Sequence, residues 1–166
     1  MQEVIKDLEK ILNAQISVYS DMENHISQKK EILVKNDIES LKTVDIEIER
    51  LAKTIQSLEA KRVQVLSTQP HMLNQPLSKV AELTSSPKEK QIILSLKDKL
   101  IDVMLRVKKA NDLNAELIAH SIKLVQHTAL LIGNALNPEG SAYNRNGKGY
   151  KSNSSNNSIS SVIRDV

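Results

Sequence analysis

The side chains that could carry out acid–base or metal chemistry are few and poorly spaced in this 166-residue chain. Of its four histidines, His120 and His127 lie two turns apart on one predicted helix, near Glu116. Helical metal sites use histidines four residues apart or a Glu-x-x-His pair, so an ordinary polar helix edge is the better interpretation. Carboxylate pairs such as Glu47 and Glu49 point in different directions on a helix. We therefore expect neither an enzyme nor a metal site.

Phosphate-binding and thiol motifs are also missing. The run Gly147-Lys148-Gly149 has neither the strand nor the helix that a phosphate-binding loop requires. The absence of cysteine excludes a disulfide framework, a thiolate zinc site and a thiol nucleophile. We expect no cofactor. Charged residues interrupt the apolar ones at the N-terminus, and no apolar run is long enough to span a bilayer, so we predict a cytoplasmic protein with no membrane insertion.

The core must consist of aliphatic side chains, because phenylalanine and tryptophan are absent and tyrosine occurs three times. Such a core favours packing between helices over sheets. We predict an all-α protein with an elongated antiparallel hairpin and a very long third helix, together a coiled-coil-like three-helix bundle, and a disordered C-terminal tail. The bundle is expected at residues 1–137 and the flexible tail at residues 138–166.

The predicted hairpin joins helices at about residues 2–34 and 37–67. Apolar residues recur at steps of three and four in the first segment and at seven-residue steps in the second, which is typical of knobs-into-holes packing. Asn36, with Glu39 three positions later, is the predicted cap of the second helix. The short turn favours antiparallel neighbours. Pro-containing residues 68–77 are a predicted linker, followed by a short helix at about residues 78–84.

The third long helix is predicted at residues 87–136. Ser86, Pro87 and Glu89 supply a cap hydroxyl, a proline at the first helical position and a capping glutamate, and Asn137-Pro138 ends the segment. At 1.5 Å per residue, about 50 residues give a rod on the order of 75 Å long. Its main seam repeats every seven residues from Leu96 to Leu131, and a companion row repeats at the same interval from Ile93 through Asn114 to Ala135.

A second apolar row widens this helix face after Asn114, where the companion row of the seam becomes small or polar. One explanation is that the helix lies between the first two helices and contacts both. The other is that the additional face is open and binds a helix of another protein. The row consists of Ile118, Ile122, Val125, Ala129, Ile132 and Leu136.

Charge does not indicate a nucleic-acid partner. The chain has 23 basic and 20 acidic residues, and its most basic segment, Lys88–Lys109, has no interleaved aromatic side chains for base stacking. The acidic segment Asp37–Glu59 is a predicted intramolecular counterpart for these charges.

Residues 139–161 consist mainly of Gly, Ser, Asn, Lys and Tyr, a composition that cannot bury enough apolar surface to order itself. Within this tail, the aromatic and apolar residues are either short docking elements or incidental. The candidate docking residues are Tyr143, Gly147, Ile159, Val162 and Ile163.

Several segments in order resemble the FlgN family of flagellar export chaperones. Residues 35–41 (KNDIESL) are similar to the turn of the family's first hairpin. Residues 111–117 (NDLNAEL), followed by Leu124-Val125, resemble its "Asn, two residues, Asn" element and the apolar run after it. Residues 142–147 (AYNRNG) are similar to its Tyr-x-x-x-Gly segment, and residues 159–163 fall where an apolar terminus is usual. The Ser/Asn tract at residues 152–158 departs from the family pattern.

The resemblance implies a chaperone that binds hook-filament junction proteins, also called hook-associated proteins, before their export. It would cover their terminal amphipathic helices, prevent premature assembly or aggregation, and deliver them to the flagellar type III export gate, with the export ATPase complex as a further partner. The groove would include Ile118, Ile122, Val125, Ile132 and Leu136. Tyr143 would dock the tail on the gate, and Gly147, Ile159, Val162 and Ile163 would contact the client or the gate.

Two other classes of function are left open by the residues. A structural coiled-coil adaptor or homo-oligomer would use the seven-residue repeats at residues 41–65. A binder of nucleic acid or an anionic membrane surface would use Lys88–Lys109 and would depend steeply on salt.

Overall fold

The computed structural model describes residues 2–136, apart from the side chains of residues 134–136. Within that range the chain forms four helices and no strand: α1 (Gln2–Lys35), α2 (Ile38–Ser67), α3 (Leu77–Leu83) and α4 (Pro87–Leu136). The all-α fold class is confirmed. The predicted tail, residues 138–166, lies outside the described residues, so the proposed domain division stays a prediction. Two compact units divide the chain, Met1–Ala119 and His120–Val166, and α4 contributes residues to both.

The turn between α1 and α2 is built by two adjacent polar residues with different roles. Asn36 adopts a left-handed φ of 56°, and its amide donates to Leu33 O while the next amide donates to Ile32 O. This is the usual C-terminal motif of a helix, and asparagine tolerates its backbone conformation. Asp37 then caps α2 by accepting a hydrogen bond from the Ser40 amide at 3.1 Å. The prediction of Asn36 as the N-cap was wrong by one residue, because Asn36 ends α1.

Polar pairs establish that α1 and α2 are antiparallel. Gln15 Nε2 donates to Glu59 Oε2 at 3.1 Å, and Lys29 Nζ lies 2.6 Å from Asp45 Oδ1. The two residue numbers sum to 74 in both pairs, as expected for a hairpin whose turn lies at residues 36–37. The two-residue turn therefore fixes how the two helices are aligned.

The first part of α4 runs parallel to α1. Arg106 Nε donates to both carboxylate oxygens of Glu23 at 3.0 Å, and Asn114 Nδ2 donates to Ile26 O at 2.8 Å. Glu23 precedes Ile26 on α1, just as Arg106 precedes Asn114 on α4, so the two helices run in the same direction. Since α2 is antiparallel to α1, it is antiparallel to this part of α4 as well.

The core of the first unit consists of aliphatic side chains in two clusters. The larger cluster joins the first half of α1, the end of α2, α3 and the beginning of α4, and the smaller one joins the middle of α1 and α2 to Val107 and Ala110 of α4. Met72, in the segment predicted to be only a linker, is fully buried in the larger cluster. The largest fully buried side chains are Leu8, Leu12, Met72, Ile93, Val80 and Val103.

Candidate partner-binding face

The predicted groove residues lie on the later part of α4, and their described side chains are exposed. Val125 is 68% exposed and Ile132 is 54% exposed, and Ile118 and Ile122 are also exposed. Within the second unit, every residue from His120 to Gly133 is exposed. Of the two alternatives for the additional apolar row, the open face is the one observed for these four residues. Their role in binding a partner stays a prediction.

The exposed row follows, in the helical period of the sequence, positions that are buried earlier in α4. Eighteen residues make five turns of an α-helix, so Val125 corresponds to Val107 in this period, and Ile132 corresponds to Asn114. Val107 is half-buried against the smaller core cluster, and Asn114 is 2% exposed. Ile118 likewise follows the buried Leu100 by eighteen residues. Positions that correspond in the helical period are thus buried in the first unit and exposed in the second.

Polar side chains occupy the other side of this part of α4. Lys123 and His127 each lie two residues from Val125, which places them about 160° from it around the helix. All three are exposed. This part of α4 is therefore amphipathic, with the exposed Leu130, about 140° from Val125, interrupting its polar side. The exposed apolar side chains between residues 122 and 132 include Ile122, Leu124, Val125, Leu130, Leu131 and Ile132.

The remaining predicted site residues cannot be placed. Leu136 is the last residue of α4, and its side chain lies outside the described residues. Tyr143, Gly147, Ile159, Val162 and Ile163 also lie outside them. Their docking roles stay predictions.

Two polar residues join the buried part of α4 to α1, and the apolar periodicity did not identify these contacts. Asn114 is buried, donates to Ile26 O, and has an Oδ1 atom without a hydrogen-bond partner. The apolar periodicity alone marks Asn114 as a weak position of the companion row. Arg106 bridges Glu23 of α1 and Asp102 of α4, and its hydrogen bonds to Glu23 raise the pKa of its guanidinium. The "Asn, two residues, Asn" spacing was the one signal that pointed to Asn114.

A second polar cluster lies between α1 and α2. Gln15 is buried and donates to Glu59, which also pairs with Arg62. Burial, followed by the negative charge of Glu59, raises the pKa of the Tyr19 hydroxyl, and Arg62 opposes that shift. Gln15 Oε1 and Arg62 Nε are buried without partners. The cluster has no arrangement of nucleophile and base, and it serves the packing of the hairpin.

The basic segment Lys88–Lys109 is partly engaged in ion pairs within the chain. Arg106 pairs with Glu23 and Asp102, and Lys108 Nζ lies 2.7 Å from Asp112 Oδ2. The partner that α1 supplies is Glu23, which lies outside the predicted acidic segment 37–59. These pairs do not favour a nucleic-acid or lipid surface over an ordinary solvated helix face.

Two searches of the described residues concern other functions. Among residues 2–136, no group of three or more histidine or acidic side chains is placed to hold a metal ion. Over the same range, no helix is sufficiently long and apolar to cross a membrane.

Within the described residues, the chain is a helical protein that presents an exposed apolar face on the later part of α4. A family model described as FlgN protein matches residues 1–151, which is most of the chain. The chain therefore belongs to the FlgN family, a family of flagellar export chaperones, and the resemblance seen in the sequence is confirmed. No curated protein and no solved structure is significantly similar to the chain.

Proposed function

We propose that this protein is a cytoplasmic chaperone that binds the terminal amphipathic helices of hook-filament junction proteins and delivers them to the flagellar export gate. It acts by binding alone, without catalysis. The observation that supports this proposal is the exposed apolar row of α4, represented by Ile122, Val125 and Ile132. Contiguous exposed apolar surface on a helix typically marks a protein-binding site, and a helix laid in a groove is a common mode of recognition.

The chemistry of the client explains why such a face is needed. Terminal helices that assemble into a filament expose apolar surface before assembly, and exposed apolar surface promotes aggregation. An apolar face that is about half of a helix circumference can cover one side of such a helix and leave the chaperone's polar face in water. Folding of residues 142–163 onto the client would cost ordering free energy, which suits a client that must later be released.

Co-expression with a junction protein, followed by gel filtration, tests this proposal. We expect the two proteins to elute together, and the double substitution Ile122→Glu and Val125→Glu to abolish co-elution because two charges would be buried in the contact. The control is Ile46→Glu on α2, where the side chain is 65% exposed. Circular dichroism verifies that all variants keep their helical content. No co-elution of the wild-type protein with any junction protein, when both are soluble, would reject the proposal.

Delivery to the gate is tested separately through the tail. We expect Tyr143→Ala to reduce binding to the export gate and motility, while capture of the client persists. Unchanged gate binding and motility would remove Tyr143 from the site. We expect deletion of residues 138–166 to preserve helicity and weaken client capture, and a cooperative loss of folding would show that the tail belongs to the folded domain.

The adaptor alternative is not favoured by the packing of α2. Val44 and Leu51 of its seven-residue repeats are buried, and Ile48 and Ile55 pack in the same hairpin. A homo-oligomer built on those repeats would have to open the hairpin first. An increase of mass in gel filtration in the absence of client, lost in the Ile122→Glu and Val125→Glu variant, would instead indicate self-association through α4.

A further inference from the structure

The apolar pattern of α4 does not by itself specify which part of the helix packs on α1. The seam Leu96, Val103, Ala110 and Leu117 repeats every seven residues and continues with Leu124 and Leu131. A displacement of α4 by seven residues along α1 would keep this seam apolar, because side chains at this interval keep their direction in a coiled coil. In the companion row, such a displacement can bring Asn114 to the position that Val107 occupies. Hydrophobic burial therefore distinguishes these alignments weakly.

Chain connectivity also constrains α4 less than it constrains the hairpin. Two residues, Asn36 and Asp37, join α1 to α2 and leave no freedom in their alignment. The helices α3 and α4 share the larger core cluster, and the nine residues 68–76 join them to α2. This segment is longer than the turn between α1 and α2, but Met72 within it is buried in the larger cluster, so a shift of α3 and α4 along α1 would also have to displace Met72.

The polar contacts between α4 and α1 do distinguish the alignments. Asn114 donates to Ile26 O at 2.8 Å, and Arg106 donates to Glu23. On α1, Glu23 and Ile26 are less than one helical turn apart. A shift of seven residues would separate Arg106 from Glu23 and move Asn114 two turns along α1. The Asn114 amide is almost fully buried and half satisfied, since its Oδ1 has no partner. A buried amide with one unpaired atom contributes little to the free energy of folding, because that atom has lost its hydrogen bonds to water. A single buried asparagine can nevertheless specify how two helices are aligned.

We propose that Asn114 is a positioning residue that fixes the alignment of α4 on α1 and so determines where along α4 the buried stretch ends. Leucine at this position would extend the apolar row, remove the unsatisfied oxygen and allow the displaced alignment. Arg106 and Glu23 reinforce the native alignment from the exposed edge of the same contact. The consequence for client capture rests on the proposed function, whereas the alignment itself does not.

Distance measurement between two spin labels tests this role in the full chain. The chain has no cysteine, so Asn13→Cys on α1 and Asn111→Cys on α4, both exposed, give unique labelling sites. We expect one narrow distance distribution in the otherwise wild-type protein. Adding Asn114→Leu is expected to produce a second population in which α4 has moved along α1 by about 10 Å, or seven residues at 1.5 Å each.

Gln15→Leu is the matched control, because it too replaces a buried side-chain amide with leucine. Gln15 lies on α1 and faces α2, and the two-residue turn already fixes the alignment of these two helices. The α1–α4 distribution of this variant is expected to stay narrow. A single unchanged distribution in Asn114→Leu would overturn the proposal, as would equal broadening in Gln15→Leu. If Asn114→Leu does not fold, the same distance measurement is made on Asn114→Ala. A second population in that variant supports the proposal, and a single unchanged distribution overturns it. All labels are read without client, so a failure of client capture leaves this test unaffected.

Discussion

The two parts of α4 have the same kind of sequence and opposite environments. In the first unit, the apolar face from Ile93 to Val103 is buried, whereas in the second unit every described side chain from His120 to Gly133 is exposed. Both parts are amphipathic, and each follows the same helical period in the sequence. The comparison shows that an amphipathic pattern identifies the helix face that packs against another surface. It does not show whether this chain or another protein supplies that surface.

Amide hydrogen exchange should show the largest difference between the two parts. Amides at residues 96–110 are expected to exchange on the order of a thousand-fold more slowly than those at residues 121–131. Exposure of the first group requires loss of the packed core, whereas no buried side chain holds the second group. Equal protection in the protein without client would break the comparison and show that something covers the second part.

Truncation of one leucine in each part should separate their contributions to stability. Leu96 is 6% exposed and Leu131 is 70% exposed. We expect Leu96→Ala to lower the free energy of unfolding by about 2–5 kcal/mol, and Leu131→Ala to change it by less than about 0.5 kcal/mol. Urea denaturation measures both values. A large loss for Leu131→Ala would contradict the assignment of that residue to the exposed part.

Substitution of the glycine in the second part should sharpen the comparison by stabilising the helix locally. Gly133 lies within α4, and a Cβ atom there would have nothing within 4 Å. Gly133→Ala is expected to stabilise the helix by about 0.5–1 kcal/mol, which slows exchange of nearby amides by roughly two- to five-fold. Ala129→Gly is the matched reverse change and should accelerate exchange. An effect of the same sign in both variants would contradict this explanation.

Alkaline pH should produce the smallest effect, through Tyr19 of the first unit. Burial raises the pKa of Tyr19 above its ordinary value of 10.0 in the folded state. Stability from its neutral hydroxyl is therefore fully present below pH 10, and it decreases as the pH rises through 10 and above. Tyr19→Phe is expected to flatten this part of the stability curve, measured by urea denaturation between pH 8 and pH 11. Identical curves for both proteins would contradict burial of the hydroxyl.

Much of the fold was predictable because its signals are local. The helices were predicted from the apolar repeats and, for α4, from the cap at Ser86 and the proline at residue 87. The structure places α1, α2 and α4 close to the predicted bounds. The cap of α2 was misplaced because Asn36 and Asp37 are both good capping residues, and only the left-handed backbone of Asn36 separates their roles. Met72 was missed because a single methionine between prolines has no periodicity.

The candidate site was predictable only in part. The sequence identified Ile118, Ile122, Val125 and Ile132 as an additional apolar row, since helical periodicity depends on spacing alone. It left open whether that row is core or surface, because burial depends on which residues lie opposite. Asn114 appeared as a weak position in a seam, although the structure makes it a buried contact with Ile26.

By itself, the sequence determined that this protein is helical, which face of each helix is apolar, and the family to which its motifs belong. Those properties follow from backbone capping and side-chain spacing within a few turns. The tertiary structure decided that α4 runs parallel to α1, that Arg106 meets Glu23 and Asn114 meets Ile26, and that the apolar row after Leu117 is left exposed. A seven-residue repeat is compatible with several alignments, and only contacts between residues more than eighty positions apart select one of them.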